Sequence, residues 1–118
     1  MTASWGGLGV LWRKNVAFIF IRPQRFTKGF VDEAEKFSLT FFDESYRKQL
    51  SYLGTVSGKD ENKIEKAELT VEHENGAPIF KEAETVIICR KLYAQPLEEK
   101  FFIDKDSDKE CYPIKITI

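Results

Sequence analysis

The feature that most constrains this chain is the unbroken apolar run Val16-Ala17-Phe18-Ile19-Phe20-Ile21. A half-wet strand alternates apolar and polar side chains, because successive residues point to opposite faces. A continuous run instead predicts a strand covered on both faces. Pro23 ends its hydrogen-bonding ladder, since proline has no N–H to donate. At 118 residues the chain suits a single domain that can bury one core without staples. No apolar run approaches the roughly 20 residues of a membrane span.

The rest of the chain reads as alternating strands and short helices. Gly6, Gly7 and Gly9 loosen the backbone after Thr2-Ala3-Ser4-Trp5, and Arg13-Lys14-Asn15 reads as a turn before the apolar run. Thr27 is placed to cap a helix through about Glu35. Phe37–Phe42 is β-branched and aromatic enough for a strand. Ser45 can cap a second helix, with Tyr46, Leu50 and Leu53 on one face and Gly54 at its end. Ser57-Gly58-Lys59-Asp60 is a turn and Glu61–Glu68 a short polar helix. A loop through Pro78, a strand over Glu84–Leu92 and a hairpin involving Lys100–Ile103 follow. Strands outweigh the peripheral helices, which predicts an α+β fold, mainly antiparallel β, with a barrel-like sheet.

Several chemistries are excluded. His73 is the only histidine and lies in a polar stretch, so a histidine metal cluster or a Ser-His-Asp triad has no support. Gly6-Gly7-Leu8-Gly9 has neither the length nor the following helix of a phosphate-binding fingerprint. No acid sits in an apolar run that would raise its pKa for hydrolytic work. A formal charge of −1 gives no general attraction to nucleic acid or anionic lipid, so an anion site must be local. Cys89 and Cys111 match no metal or redox spacing and read as reduced thiols, the alternative being a disulfide between them in a secreted protein. The N-terminus lacks signal-peptide character, and the expected location is cytoplasmic.

Three segments suit a planar, anionic ligand. Arg22-Pro23-Gln24-Arg25-Phe26-Thr27 puts two guanidinium groups where a strand ends and a helix begins. Charge-assisted hydrogen bonds contribute about 1.5–3 kcal/mol each, so two arginines can shift affinity by roughly two to four orders of magnitude. The helix dipole adds only ~0.3–1 kcal/mol, so the arginines would decide binding. A solvated basic turn that pairs with surface acids is the alternative. In Thr2-Ala3-Ser4-Trp5, small residues admit a ligand beside an aromatic wall, or the Trp simply belongs to the core. Thr55-Val56-Ser57-Gly58-Lys59-Asp60 can cradle an anion with backbone N–H groups and a cation, or is an ordinary surface turn.

Taken together and in order, Met1–Gly7, Ile21–Thr27, Leu53–Lys63 and Cys89–Gln95 resemble the flavin-reductase-like family, flavoredoxin-type members included. The resemblance implies a split β-barrel homodimer that binds FMN noncovalently near the subunit interface and takes hydride from NAD(P)H. Thr2, Ala3, Ser4 and Trp5 would line the isoalloxazine. Arg22, Arg25 and Thr27 would hold the phosphate end, and Ser57, Gly58, Lys59 and Lys63 would close the site. Lys59 or Ser57 would stabilise reduced, anionic flavin, and Cys89 would be structural. Against the family pattern, residues 1–118 read as one domain lacking N-terminal strands and a closing C-terminal strand, with Ile114–Ile118 as a substitute strand. Two rivals stand beside this reading: a flavin-carrying electron-transfer module without NAD(P)H turnover, and a truncated, cofactor-free oligomeric barrel.

Overall fold

The computed structural model describes residues 1–107 and 116–117. Strands β1 (Gly6–Leu11) and β2 (Lys14–Ile19) form an antiparallel hairpin, followed by helix α1 (Phe26–Glu33) and strand β3 (Lys36–Phe41). A 3-10 turn over Glu44–Tyr46 leads into α2 (Arg47–Thr55), and α3 (Lys63–Lys66) follows. Strands β4 (Val71–Glu74) and β5 (Ala77–Phe80) make a second hairpin. Strand β6 (Thr85–Arg90) returns to pair antiparallel with β3. The two-residue strands β7 (Pro96–Leu97) and β8 (Ile116–Thr117) also pair. The described residues thus form an α+β arrangement of antiparallel two-stranded sheets, with no closed barrel among them.

The hairpin β1–β2 departs from expectation in two ways. Its turn is Trp12-Arg13, one step earlier than Arg13-Lys14-Asn15, and both residues hold positive φ of 51° and 59°. Nor is β2 covered on both faces: Phe18 is exposed, and Val16, Ala17 and Ile19 are only half-buried. The cause is an open apolar cavity of about 1010 Å³, bounded by the hairpin, the inner side of α1 (Val31) and strand β6 (Ile87, Cys89). Within the apolar run only Ile21 is buried.

The helices also shift. Thr27 does not cap α1; it is the second helical residue, and Arg25 holds the cap position without a side-chain bond. Asp43, not Ser45, starts the second helical segment: its carboxylate accepts from the Ser45 N–H at 2.7 Å and from the Ser45 hydroxyl. Gly54 does not end α2, which continues to Thr55. The helix expected over Glu61–Glu68 shortens to Lys63–Lys66, capped by Asn62. The loop expected before Pro78 is hairpin β4–β5, closed by Asn75-Gly76 with φ of 49° and 82°. Asn-Gly suits a turn in which both central residues need positive φ. Lys100–Ile103 forms no hairpin; Glu99–Phe101 is a 3-10 turn. Of the proposed substitute strand, Ile116 and Thr117 pair with Leu97 and Pro96, whereas Ile114, Lys115 and Ile118 lie outside the described residues. Cys111 lies outside them too.

The core sits around α2. Leu53, Ala67 and Leu69 are buried together, with Phe42, Tyr46, Tyr52, Ile64 and Phe80 packed against them. Of the predicted face, Leu53 from α2 and Tyr46 from the preceding 3-10 turn reach this cluster, whereas Leu50 is half-buried and is not among the residues packed there. The cluster's packing fixes the end of α2 that carries the candidate site.

Candidate functional site

The site is built where three separated stretches meet the C-terminal end of α2. After β2 the chain turns tightly, the Arg25 N–H donating to the Arg22 carbonyl at 3.0 Å, and α1 starts at once with Lys28 N–H on the Arg25 carbonyl at 3.0 Å. Both arginines of this strand-to-helix joint are half-buried. The Arg22 guanidinium lies over the Trp5 ring, 4.7 Å from its centroid. Such stacking keeps a cation and an aromatic face side by side. Arg25 reaches across to α2, its Nη1 donating to the Gly54 carbonyl at 3.4 Å.

Close approach explains the glycines here. A Cβ on Gly54 would come within 2.3 Å of Thr2 Oγ1, so the absent side chain is what seats Thr2 against the helix. A Cβ on Gly58 would meet Phe26 Cδ1 at 2.9 Å, so the 57–60 turn lies directly on the first residue of α1. The turn itself is closed by Asp60 N–H on the Ser57 carbonyl at 3.1 Å and Lys59 N–H on Ser57 Oγ at 3.2 Å. Lys63 Nζ donates to the carbonyls of Leu53 at 2.8 Å and Val56 at 2.9 Å.

The electrostatics are one-sided. Burial pushes the Lys63 ammonium below its ordinary pKa, and the Arg25 guanidinium pushes in the same direction. The Met1 amine falls to about 6, mainly through burial and then through Lys63 and Arg25. Among the described residues, ion pairs join Lys28 to Asp32, Arg47 to Glu44, Lys66 to Glu61 and Lys100 to Glu98; none engages Arg22, Arg25, Lys59 or Lys63. Among the described residues, then, no surface acid pairs with the basic turn.

Of the candidates, the structure ties Thr2, Trp5, Arg22, Arg25, Gly58 and Lys63 into contacts at this corner. Ser57 and Lys59 belong to its turn. Ala3 and Ser4 are exposed in the segment between Thr2 and Trp5, and Thr27 is half-buried in the first turn of α1. Sequence reasoning missed Phe26 and Gly54. Their signal was present but local rules disguised it: a glycine near a helix end reads as a terminator, and a lone Phe reads as core.

The large apolar cavity is elsewhere; none of the eleven candidate residues lines it. Cys89 does, as a free, half-buried thiol that burial pushes above its usual pKa. It is thus poorly placed for thiolate chemistry. Among the described residues no His, Cys, Asp and Glu group could hold a metal, and no helix is long and apolar enough to cross a membrane.

The family model for the flavin reductase like domain matches residues 13–103. The chain belongs to that family. The match takes in Arg22, Arg25, Thr27 and the whole 57–63 stretch, and leaves Thr2–Trp5 before its start. No curated protein and no solved structure matches the chain. Membership of the flavin reductase-like family carries a flavin-related oxidoreductase role and a flavin as the associated cofactor.

Proposed function

We propose that the chain binds FMN at the corner formed by Trp5, the Arg22–Thr27 joint and the 57–63 stretch, and serves as an NAD(P)H-dependent flavin reductase. The observation that carries this reading is Arg22 stacked on Trp5 and Arg25 at the same joint, with no carboxylate among the described residues paired to either arginine. A planar ring with an anionic tail fits such a place. The aromatic face can pack on the ring, and the guanidinium forks match phosphate oxygens. When bound, the flavin supplies the redox chemistry, accepting hydride from a nicotinamide. The protein's own part is to bind and orient it.

Within this reading Arg22 and Arg25 take the phosphate, with Thr27 at the same joint. Thr2, Ala3, Ser4 and Trp5 border the ring. Ser57, Gly58 and Lys59 offer a hydroxyl, backbone N–H groups and a cation at its edge. The exposed side chains of Leu8, Val10 and Trp12 favour pairing with a second chain, in keeping with a split-barrel homodimer. Sedimentation of the flavin-loaded protein at micromolar concentration should give a dimer; a flavin-loaded monomer would remove that part of the proposal.

The deciding experiment is a titration of the purified protein with FMN and with riboflavin, followed by NADH or NADPH. Arg22→Ala combined with Arg25→Ala should weaken FMN by at least roughly tenfold and leave riboflavin almost unchanged, because only the phosphate loses its partners. Equal loss for both ligands refutes the phosphate role. Bleaching of the bound flavin's visible absorbance by a nicotinamide supports reductase activity; bound flavin that never bleaches points to an electron-transfer module.

A further inference from the structure

We infer that Lys63 serves the ligand site as a positioning residue, its ammonium pinning the C-terminal end of α2 and thereby setting the 57–60 turn against Phe26. The role presupposes the flavin site proposed above, and it reverses the simplest reading of a lysine in that site, a direct contact to phosphate. Two N–H donors of the ammonium already point at the Leu53 and Val56 carbonyls, at 2.8 and 2.9 Å. These are good hydrogen-bond lengths, and the last carbonyls of a helix have no partners of their own within it. Arg25 differs: its bond to the Gly54 carbonyl is 3.4 Å, near the limit, and its guanidinium has further donors to offer. The anion load therefore falls on Arg22 and Arg25, while Lys63 holds the backbone between them and the turn.

The same device operates where no ligand site is involved. Lys91 Nζ, from the segment after β6, donates to the Val31 and Asp32 carbonyls at the end of α1, at 2.7 and 2.8 Å. Each of the two longer helices is thus finished by a lysine brought from a distant stretch, with no residue in the left-handed conformation at the cap. At α2 the consequence reaches further, because Val56 leads directly into Ser57-Gly58-Lys59-Asp60, and Gly58 rests on Phe26. Releasing Lys63 frees Val56 and with it the turn. Burial and Arg25 both act against the charged ammonium, and among the described residues its hydrogen bonds are these two to backbone carbonyls.

The test compares Lys63→Met, Lys63→Gln, Lys63→Arg and the control Lys91→Met by amide hydrogen exchange without ligand and by FMN and riboflavin titration. Lys63→Met should speed exchange at Val56, Lys59 and Asp60 by about tenfold. It should weaken FMN and riboflavin by the same factor, at least roughly tenfold, leaving their ratio within about twofold of wild type. Lys63→Arg, which can still donate to both carbonyls, should restore most of that loss, and Lys91→Met should leave both affinities within about twofold. If Lys63→Met fails to fold, Lys63→Gln is read by the same criteria. A loss confined to FMN makes Lys63 a phosphate ligand and overturns the inference. So do unchanged exchange at the turn, or an equal loss in Lys91→Met, which would mean general loosening. Wild-type protein that binds neither flavin defeats the proposed function instead, and the exchange arm alone then decides whether Lys63 pins the turn.

Discussion

Hairpins β1–β2 and β4–β5 are both antiparallel and both close with two residues at positive φ, yet they fare oppositely. The first is the more apolar, but Val10 is 73% exposed and Trp12 57%. The second carries Glu72, His73 and Glu74 in one strand, yet Ala77 is fully buried and Phe80 packs on the Leu53 cluster. Burial follows from having a surface to pack on rather than from apolar content. The polar hairpin has α2 and α3 beneath it; the apolar one faces an open cavity. The turns differ in the same sense. Asn75-Gly76 adopts left-handed conformations readily, whereas Trp12-Arg13 must be held there against side-chain crowding. The candidate site lies on the seam: Trp5 and Arg22 flank the loose hairpin, and Gly54, Gly58 and Lys63 belong to the packed half.

This contrast can be broken or sharpened by substitution. The largest effect is expected for Leu53→Ala, which empties a site 3% exposed beneath β5 and should cost about 2–5 kcal/mol in urea unfolding. Val10→Ala in the other hairpin should stay within about 0.5 kcal/mol, as for surface positions. Comparable losses at the two sites would mean that the first hairpin is as well packed as the second. Next comes Gly76→Ala, which places a side chain at φ 82° and should cost about 1–2 kcal/mol, read as a fall in melting temperature. The smallest effect has the opposite sign. Arg13→Gly relieves a residue at φ 59° and should raise stability by about 1 kcal/mol, less whatever the freer unfolded chain takes back. A loss on that substitution would show that the Trp12-Arg13 turn is stabilised by contacts that outweigh its backbone cost.

What the sequence by itself determined follows from short-range physics. Residue type and spacing marked the strand over Phe37–Phe42, found as Lys36–Phe41, and the apolar face of α2, because both depend on local periodicity. They marked the Ser57–Asp60 turn and the paired arginines of the strand-to-helix joint for the same reason. The family likeness was legible in those motifs, and the match over residues 13–103 bears it out. Asn75-Gly76 was equally local and was passed over, its signal masked by the polar residues around it. Tertiary structure alone decided the rest. Whether Val16–Ile21 is covered depends on what lies across the sheet, and no local rule contains that surface. Whether Gly54 ends α2 depends on Lys63 and Arg25, which reach the helix carbonyls from ten and 29 residues away in sequence. That Lys63 faces backbone carbonyls, while Arg22 lies on Trp5, is likewise a matter of which segments meet. A side chain's type says which partners it can accept, and only the folded chain brings one of them within hydrogen-bonding distance.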